Sequence, residues 1–243
     1  MCRLVNHGVT LVKISTAKFQ NFKSLTDVEL SFRNLTILVG SNASGKSNCL
    51  EALGFVSTLL GAGALPPVEL MQRYLRFNSD GVNFNLTVED SEKKAEYSIS
   101  ITVNKKSTLI ACENLQVNGI EVIDIINGEG KVSDENGKND QKYQSDPESI
   151  EGLALRAAGN FGNKPFTKKL SSYIRNWEFY NIDPDQVRQY SHFLEKVKLL
   201  SQSSTSTDKI PGLDEYASEV QEVLNYWAKN EIDKFEEVSK ELE

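Results

Sequence analysis

The sequence has few cysteines and no long apolar run. Its three cysteines, Cys2, Cys49 and Cys112, are odd in number and far apart, so they indicate neither a disulfide framework nor a zinc site. The first ten residues lack the apolar core of a secretory signal. The longest apolar tract, residues 50–65, contains Glu51 and three glycines and is too short to span a bilayer. These absences favour a cytoplasmic chain without a membrane segment.

The charge is acidic overall and unevenly distributed. A net charge of −7, with 39% hydrophobic and 25% charged residues, excludes wholesale disorder and argues against a nucleic-acid surface that covers the whole chain. Residues 1–50 carry six basic and two acidic side chains, whereas residues 211–243 carry ten acids and three lysines. The simplest interpretation of the acidic end is the solvated face of helices.

The most informative stretch is residues 35–60. The apolar run Leu35–Val39 predicts a buried strand, which leads into Gly40-x-x-x-x-Gly45-Lys46-Ser47, the phosphate-loop pattern. A helix is predicted next, because apolar residues recur at spacings of three and four. These residues are Cys49, Leu50, Leu53, Val56, Leu59 and Leu60. The spacing of the glycines excludes a dinucleotide site of the G-x-G-x-x-G type.

Each part of this pattern suits a polyphosphate. The glycines allow backbone angles that turn successive N–H groups inward, and the positive end of the following helix faces the same point. Lys46 is expected to reach the β- and γ-phosphates, and the Ser47 hydroxyl to take one position on a Mg²⁺ ion. The predicted cofactors are therefore ATP and Mg²⁺.

Most of the rest of residues 1–126 is predicted to form strands. One predicted strand begins at Leu11–Ser15 and continues through Phe19–Leu25, and a second lies at Val28–Phe32. The strand that enters the loop is therefore predicted to be the third. After the loop helix, Leu65-Pro66-Pro67 ends the helical pattern, and an alternation of period two begins at Val82. It covers Val82–Val88, Ala95–Val103, Thr108–Cys112, Leu115–Val117 and Glu121–Ile126. This pattern predicts an antiparallel β-meander.

The second half is expected to be mainly helical. Residues 127–146 are polar and glycine-rich, which indicates a flexible loop or the tip of a long hairpin. Residues 147–200 are predicted as a helical segment with a strand at Glu178–Ile182, and residues 201–212 as a polar linker. Residues 213–243 carry two amphipathic helical stripes, which pack on their own domain or dock on a partner.

Residues 11–60 resemble a known family. The runs KFQNFKSL, VELSF and LTILVGSNASGKSNCLEAL resemble the N-terminal lobe of the ABC-type ATPases of the SMC/RecF group, above all the AAA15/OLD-like predicted ATPases. The resemblance implies an α/β phosphate-loop NTPase lobe whose β-meander helps to frame the adenine and ribose. It also adds Asn48 to the predicted nucleotide site. That site comprises Gly40, Ser41, Asn42, Ala43, Ser44, Gly45, Lys46, Ser47 and Asn48, with Ser47 as the metal ligand.

The same family hydrolyses ATP with groups from a second lobe, and these are missing here. They are an L-S-G-G-Q-like signature, an Asp-Glu pair after an apolar strand, and a switch histidine. His7 and His192 have no neighbouring motif, and the run at Leu170 lacks the glycines of a signature. The resemblance therefore implies an ATP–Mg²⁺-binding lobe, in which hydrolysis requires a second lobe from a partner or from the rest of the gene. The expected partners are such a complementary lobe or, in a homodimer, a second copy of the chain.

Two other functions are open at this point. The first is a nucleotide-gated pseudo-ATPase module that recruits a protein through its acidic C-terminal helices. The second, weaker alternative is a phosphate-loop kinase, which is disfavoured because no arginine-rich lid segment is present. Binding of DNA is suggested only by the roles of the relatives in DNA repair and in defence against foreign DNA.

Two further residues are candidates for the metal site. Gln72 lies after the predicted loop helix, where ABC-type sites place a glutamine that contacts Mg²⁺ and water, but an exposed position on a helix turn is the simpler interpretation. Asp124 ends an apolar run, as the magnesium acid of other phosphate-loop enzymes does. We interpret it instead as the periphery of a strand, because Ile125 and Ile126 continue the run.

Overall fold

The computed structural model describes residues 12–145, 152–180, 212–213, 217 and 220–241. The chain divides into two compact units. One unit comprises Val5–Trp177, and the other comprises Glu178–Glu243 together with Met1–Leu4. The predicted loop and meander both belong to the first unit.

The first unit is built around one antiparallel sheet. Its strands are β1 (Lys13–Phe22), β2 (Leu25–Ser31), β3 (Gly81–Glu89), β4 (Lys94–Val103), β5 (Thr108–Val117), β6 (Ile120–Ile126), β7 (Glu129–Val132) and β8 (Gln141–Gln144). The strand order is β2-β1-β3-β4-β5-β6-β7-β8, and every pair is antiparallel. The mixed α/β class and the antiparallel meander are thereby confirmed.

The period of two explains which face of the sheet forms the core. Along β3, Val82, Phe84, Leu86 and Val88 are buried, while the residues between them are less buried or exposed. Successive side chains of a strand point to opposite faces, so one face packs inward. The two short runs predicted within residues 108–117 form the single strand β5, which has a register shift at Leu115.

The helix after the loop covers this core. It is α1 (Lys46–Ala62), and its buried residues include Phe55, Val56 and Leu60. The Phe55 ring lies 5.6 Å from the ring of Phe84 on β3 and 4.7 Å from that of Tyr74. Aromatic contacts of this kind stabilise a core beyond their buried area. They fix α1, and with it the loop, against one end of the sheet.

The prediction of a strand at Leu35–Val39 is wrong. None of residues 33–40 forms a strand or pairs with one among the described residues. Leu35, Ile37 and Val39 are 64%, 72% and 86% exposed. A strand needs a hydrogen-bonded neighbour, and this segment has none in the described part of the chain.

Of the two alternatives for residues 127–146, a flexible loop or the tip of a long hairpin, the structure has a hairpin, because β7 and β8 pair there. Between these strands, the Asp134 carboxylate accepts hydrogen bonds from the Asn163 amide (2.8 Å) and from Lys164 Nζ (3.3 Å). Glu135 accepts a 2.7 Å bond from the Thr167 amide, in the first turn of the helix Pro165–Arg175. The hairpin therefore contacts that helix through charged side chains. A polar composition alone does not distinguish such a hairpin from a flexible loop.

The remaining helices are α2 (Val68–Met71), α3 (Leu155–Ala158), α4 (Pro165–Arg175), α5 (Val220–Asn230) and α6 (Ile232–Glu241). The last two lie in the second unit, where amphipathic helices are predicted. Of the predicted strand Glu178–Ile182, residues 178–180 are irregular and the rest lies outside the described residues, as does the predicted linker up to residue 211. Within the described residues, no helix has the length and apolar character needed to cross a membrane.

Candidate functional site

The phosphate-loop pattern forms a tight turn at the start of α1. Ala43 and Gly45 have φ angles of +64° and +92°, and the Ser44 amide donates a 3.3 Å hydrogen bond to the Ser41 carbonyl. Glycine adopts this left-handed region freely, but alanine adopts it only at a cost of about 1–2 kcal/mol. Such strain is typical of functional loops whose surroundings hold them in place.

The Lys46 ammonium group lies inside this turn. It donates hydrogen bonds to the Gly40 carbonyl (2.9 Å), the Ser41 carbonyl (2.7 Å) and the Ser44 hydroxyl (3.3 Å). The first two bonds tie the lysine to the start of the loop and keep the loop closed. The third bond is the longest, and a phosphate oxygen would replace this hydroxyl as a stronger, charged acceptor.

The backbone amides at the start of α1 are open. The first regular helical bond runs from the Cys49 amide to the Gly45 carbonyl at 3.0 Å. The amides of Gly45, Lys46, Ser47 and Asn48 have no acceptor among the described residues. The first turn of α1 contains no acidic residue, and no side chain in the described part of the chain caps it. Four free N–H groups and the positive end of a 17-residue helix suit an anion.

The residues after the lysine have different surroundings. Ser47 is exposed in the first turn of α1, where its hydroxyl can join a Mg²⁺ ion that keeps water and phosphate ligands. The Asn48 side chain instead donates a 2.7 Å hydrogen bond to the Ser24 hydroxyl. Asn48 therefore fastens α1 to the turn between β1 and β2. In the described ranges, no group of three or more His, Cys, Asp or Glu side chains could hold a metal ion.

The loop borders a cavity of about 520 Å³. One wall is formed by the loop itself, and the other is mainly apolar, with Leu25, Val28, Ile37, Val39 and Cys49. Gln72 does not line this cavity. It lines a separate groove of about 580 Å³ with Arg76 and Phe77, so the structure does not bring Gln72 to the loop.

Asp124 lies within β6, where it is paired with Asn114 on β5 and Lys131 on β7. This position matches the interpretation of Asp124 as part of a continuing strand.

Sequence reasoning missed two other residues near the loop. Ser24 accepts the Asn48 bond, and Arg76 Nη1 donates a 3.1 Å bond to the Ser24 carbonyl. The run KFQNFKSL contains Ser24, but nothing in the sequence singles out Arg76.

Comparison with known proteins identifies the family. Residues 13–242 match the AAA ATPase domain family AAA_15, and the chain belongs to this family. A relative is the DNA replication and repair protein RecF of Natranaerobius thermophilus. It is 30% identical over 110 residues, which are 45% of this chain and 26% of that protein.

Two solved structures of the recombination mediator protein RecF in the RecFOR pathway are also similar to this chain. The structure with ATP has 15% sequence identity and a TM-score of 0.36, and the match covers 80% of this chain and 41% of that one. The structure of RecF-ATPrS has 22% identity and a TM-score of 0.32, and the match covers 45% of this chain and 28% of that one. The chain thus spans less than half the length of each of these proteins.

Proposed function

We propose that this chain is the ATP–Mg²⁺-binding N-terminal lobe of an SMC/RecF-like, OLD-type ATPase of the cytoplasm. One observation carries the proposal: the Lys46 ammonium group lies in a closed loop beside four amides without acceptors among the described residues. A triphosphate supplies the negative oxygens that this arrangement lacks. Ser47 would then provide the protein ligand of the Mg²⁺ ion, which polarises the phosphates.

The segment before the loop supports the second part of the proposal, that hydrolysis needs another lobe. Leu35, Ile37 and Val39 are mostly exposed, and they follow one another at the spacing of a strand face. Ile37 and Val39 also line the apolar wall of the cavity at the loop. A strand from a second lobe would pair with this segment and bring the groups that orient water and anchor Mg²⁺.

Removing the Lys46 charge tests the nucleotide site. We expect Lys46→Met to weaken Mg·ATP binding about 10- to 100-fold in a calorimetric titration, because a charge-assisted hydrogen bond to phosphate is lost. The matched control is Lys142→Met on the edge strand β8, where an exposed lysine is removed far from the motif in sequence. An unchanged dissociation constant for the Lys46 variant, or no binding by the wild type, would reject the site.

The rate of ATP hydrolysis by the chain alone distinguishes a single ATP-binding lobe from a complete ATPase. The chain alone should bind Mg·ATP but hydrolyse it far more slowly than the roughly 1–10³ s⁻¹ of ordinary enzymes. Addition of a complementing polypeptide should raise the rate. An ordinary rate for the purified chain would show that its own residues suffice.

A second candidate is a nucleotide-gated module that recruits a protein. Ile232 at the start of α6 is 60% exposed, and Asp233 and Glu236 are exposed on the same helix. A partner that binds these helices without adding turnover would favour this function.

The name of the RecF relative also suggests DNA as a partner. A DNA titration at several salt concentrations tests this, since phosphate contacts weaken steeply with salt.

A further inference from the structure

The turn between β1 and β2 is held in a strained conformation by residues 74–76. Asn21 at the end of β1 and Lys23 in the turn have φ angles of +60° and +49°, in the left-handed region that residues other than glycine seldom adopt. The Lys23 amide donates a 2.8 Å hydrogen bond to the Tyr74 carbonyl, and the Arg76 amide donates a 2.9 Å bond to the Asn21 carbonyl. The Arg76 side chain adds the 3.1 Å bond to the Ser24 carbonyl. Residues 74–76 therefore fix the position of this turn.

The same turn lies directly against the phosphate loop. A Cβ atom placed on Gly45 would be 3.1 Å from Ser24 Oγ and 3.1 Å from Leu25 Cδ2, which leaves no free space between the turn and the loop. The Ser24 hydroxyl also receives the hydrogen bond from Asn48. Ser24 itself is exposed, but Leu25 and Gly45 are buried where the turn meets the loop, and close-packed groups transmit small displacements. A shift of the turn would therefore move the amides of Gly45 and its neighbours.

We infer that Arg76 is a positioning residue for the phosphate loop and acts through Ser24. Its guanidinium group holds the Ser24 carbonyl on one side, while the loop glycine and Asn48 contact the Ser24 side chain on the other. Loss of this contact lets the turn relax away from its strained conformation, so the loop amides lose their alignment. The inference rests on the proposed function in so far as the aligned amides bind Mg·ATP.

Two variants test the effect on nucleotide binding. Arg76→Met keeps the aliphatic stem and removes the donor, and we expect it to weaken Mg·ATP binding about 3- to 20-fold. Arg73→Met is the control: it removes the same charge from the same segment at an exposed position, and the binding should change less than twofold. Equal losses in the two variants would show a long-range charge effect and overturn the inference.

A double-mutant cycle with Asn48→Ala tests whether Ser24 transmits the effect. Arg76 and Asn48 both act on Ser24, so the double variant should lose clearly less affinity than the product of the two single losses. Independent, multiplicative losses would overturn the route through Ser24.

A measurement without nucleotide separates this inference from the proposed function. Cys49 is 6% exposed and lines the cavity beside Leu25 and Gly45, so its alkylation by N-ethylmaleimide reports loosening at that point. With Cys2 and Cys112 replaced by serine, Arg76→Met should raise the alkylation rate several-fold below the melting temperature, and Arg73→Met should not. An unchanged rate would overturn the inference. A raised rate in a chain that does not bind Mg·ATP would support Arg76 as a positioning residue and reject the proposed function.

Discussion

The Tyr97 phenol donates a 2.8 Å hydrogen bond to Oε1 of Glu113 on the neighbouring strand, and each residue is 1% exposed. Glu113 also accepts bonds from the amides of Ala154 (2.6 Å) and Leu155 (2.8 Å). One buried carboxylate thus joins β4, β5 and the start of α3. Burial raises the pKa of Glu113 from its ordinary value of 4.5, although the three hydrogen bonds act in the opposite direction.

The first prediction concerns the hydrogen bonds of Glu113. Glu113→Gln replaces one acceptor oxygen by an NH₂ group, so a buried donor is left without an acceptor. We expect the free energy of unfolding in urea to fall by about 1–3 kcal/mol. Glu129→Gln, at an exposed position on β7, is the control and should change it by less than about 0.5 kcal/mol. Equal effects would show that the buried contacts do not form in solution.

The raised pKa also predicts how this difference varies with pH. Between 4.5 and the raised value, the folded state binds more protons at Glu113 than the unfolded state, so this group contributes less stability as the pH rises. The stability advantage of the wild type over Glu113→Gln should therefore grow as the pH is lowered towards 4.5. Unfolding curves at a series of pH values measure it. A difference that is constant with pH would contradict the raised pKa.

Local patterns predicted most of the sheet and α1. The alternation at Val82–Val88 fixes which face of β3 is buried, and the spacing of Cys49, Leu53 and Val56 fixes the face of the helix. These signals are local, because a side chain's direction follows from its place in the repeat. The polar strand Gln141–Gln144 carried no such signal. As an edge strand it is exposed, and its backbone pairing leaves no mark on the composition.

The failures have a different cause. The run Leu35–Val39 has the composition of a buried strand, but burial depends on a neighbour that the run itself does not specify. At the candidate site, the spacing of Gly40, Gly45 and Lys46 likewise indicated the loop but not the residues that surround it. The contacts of Ser24 and Arg76 with the loop and its turn join residues far apart in sequence, and no short-range pattern records them.

The second prediction compares two valines with opposite surroundings. Val39 is 86% exposed before the loop, whereas Val88 on β3 is 0% exposed. Val39→Thr should change the free energy of unfolding by less than about 0.5 kcal/mol. Val88→Thr should lower it by about 1–3 kcal/mol, because it buries a hydroxyl group in an apolar core. Chemical denaturation measures both. A large loss at Val39 would mean that this segment is buried in solution, for instance by self-association.

The third prediction concerns two glycines at the end of α1. Gly61 lies in the helix, and a Cβ atom there would meet no atom of the described residues within 4 Å. Gly63 ends the helix with a φ of +70°, and a Cβ atom there would lie 1.1 Å from Nη1 of Arg156. We expect Gly61→Ala to raise the free energy of unfolding by about 0.5–1 kcal/mol, through better helix propensity. Gly63→Ala should lower it by about 1–2 kcal/mol, the cost of a left-handed alanine.

The Arg156 side chain allows the two parts of the Gly63 effect to be separated. Arg156 is exposed, so its guanidinium group can swing away from a new methyl group at little cost, whereas the backbone angle at residue 63 cannot relax while its amide remains bonded to the Leu59 carbonyl at 3.2 Å. Gly63→Ala should therefore cost nearly the same in an Arg156→Ala background as in the wild type. If the cost disappears in that background, steric conflict with the arginine, and not the backbone angle, requires glycine at this position.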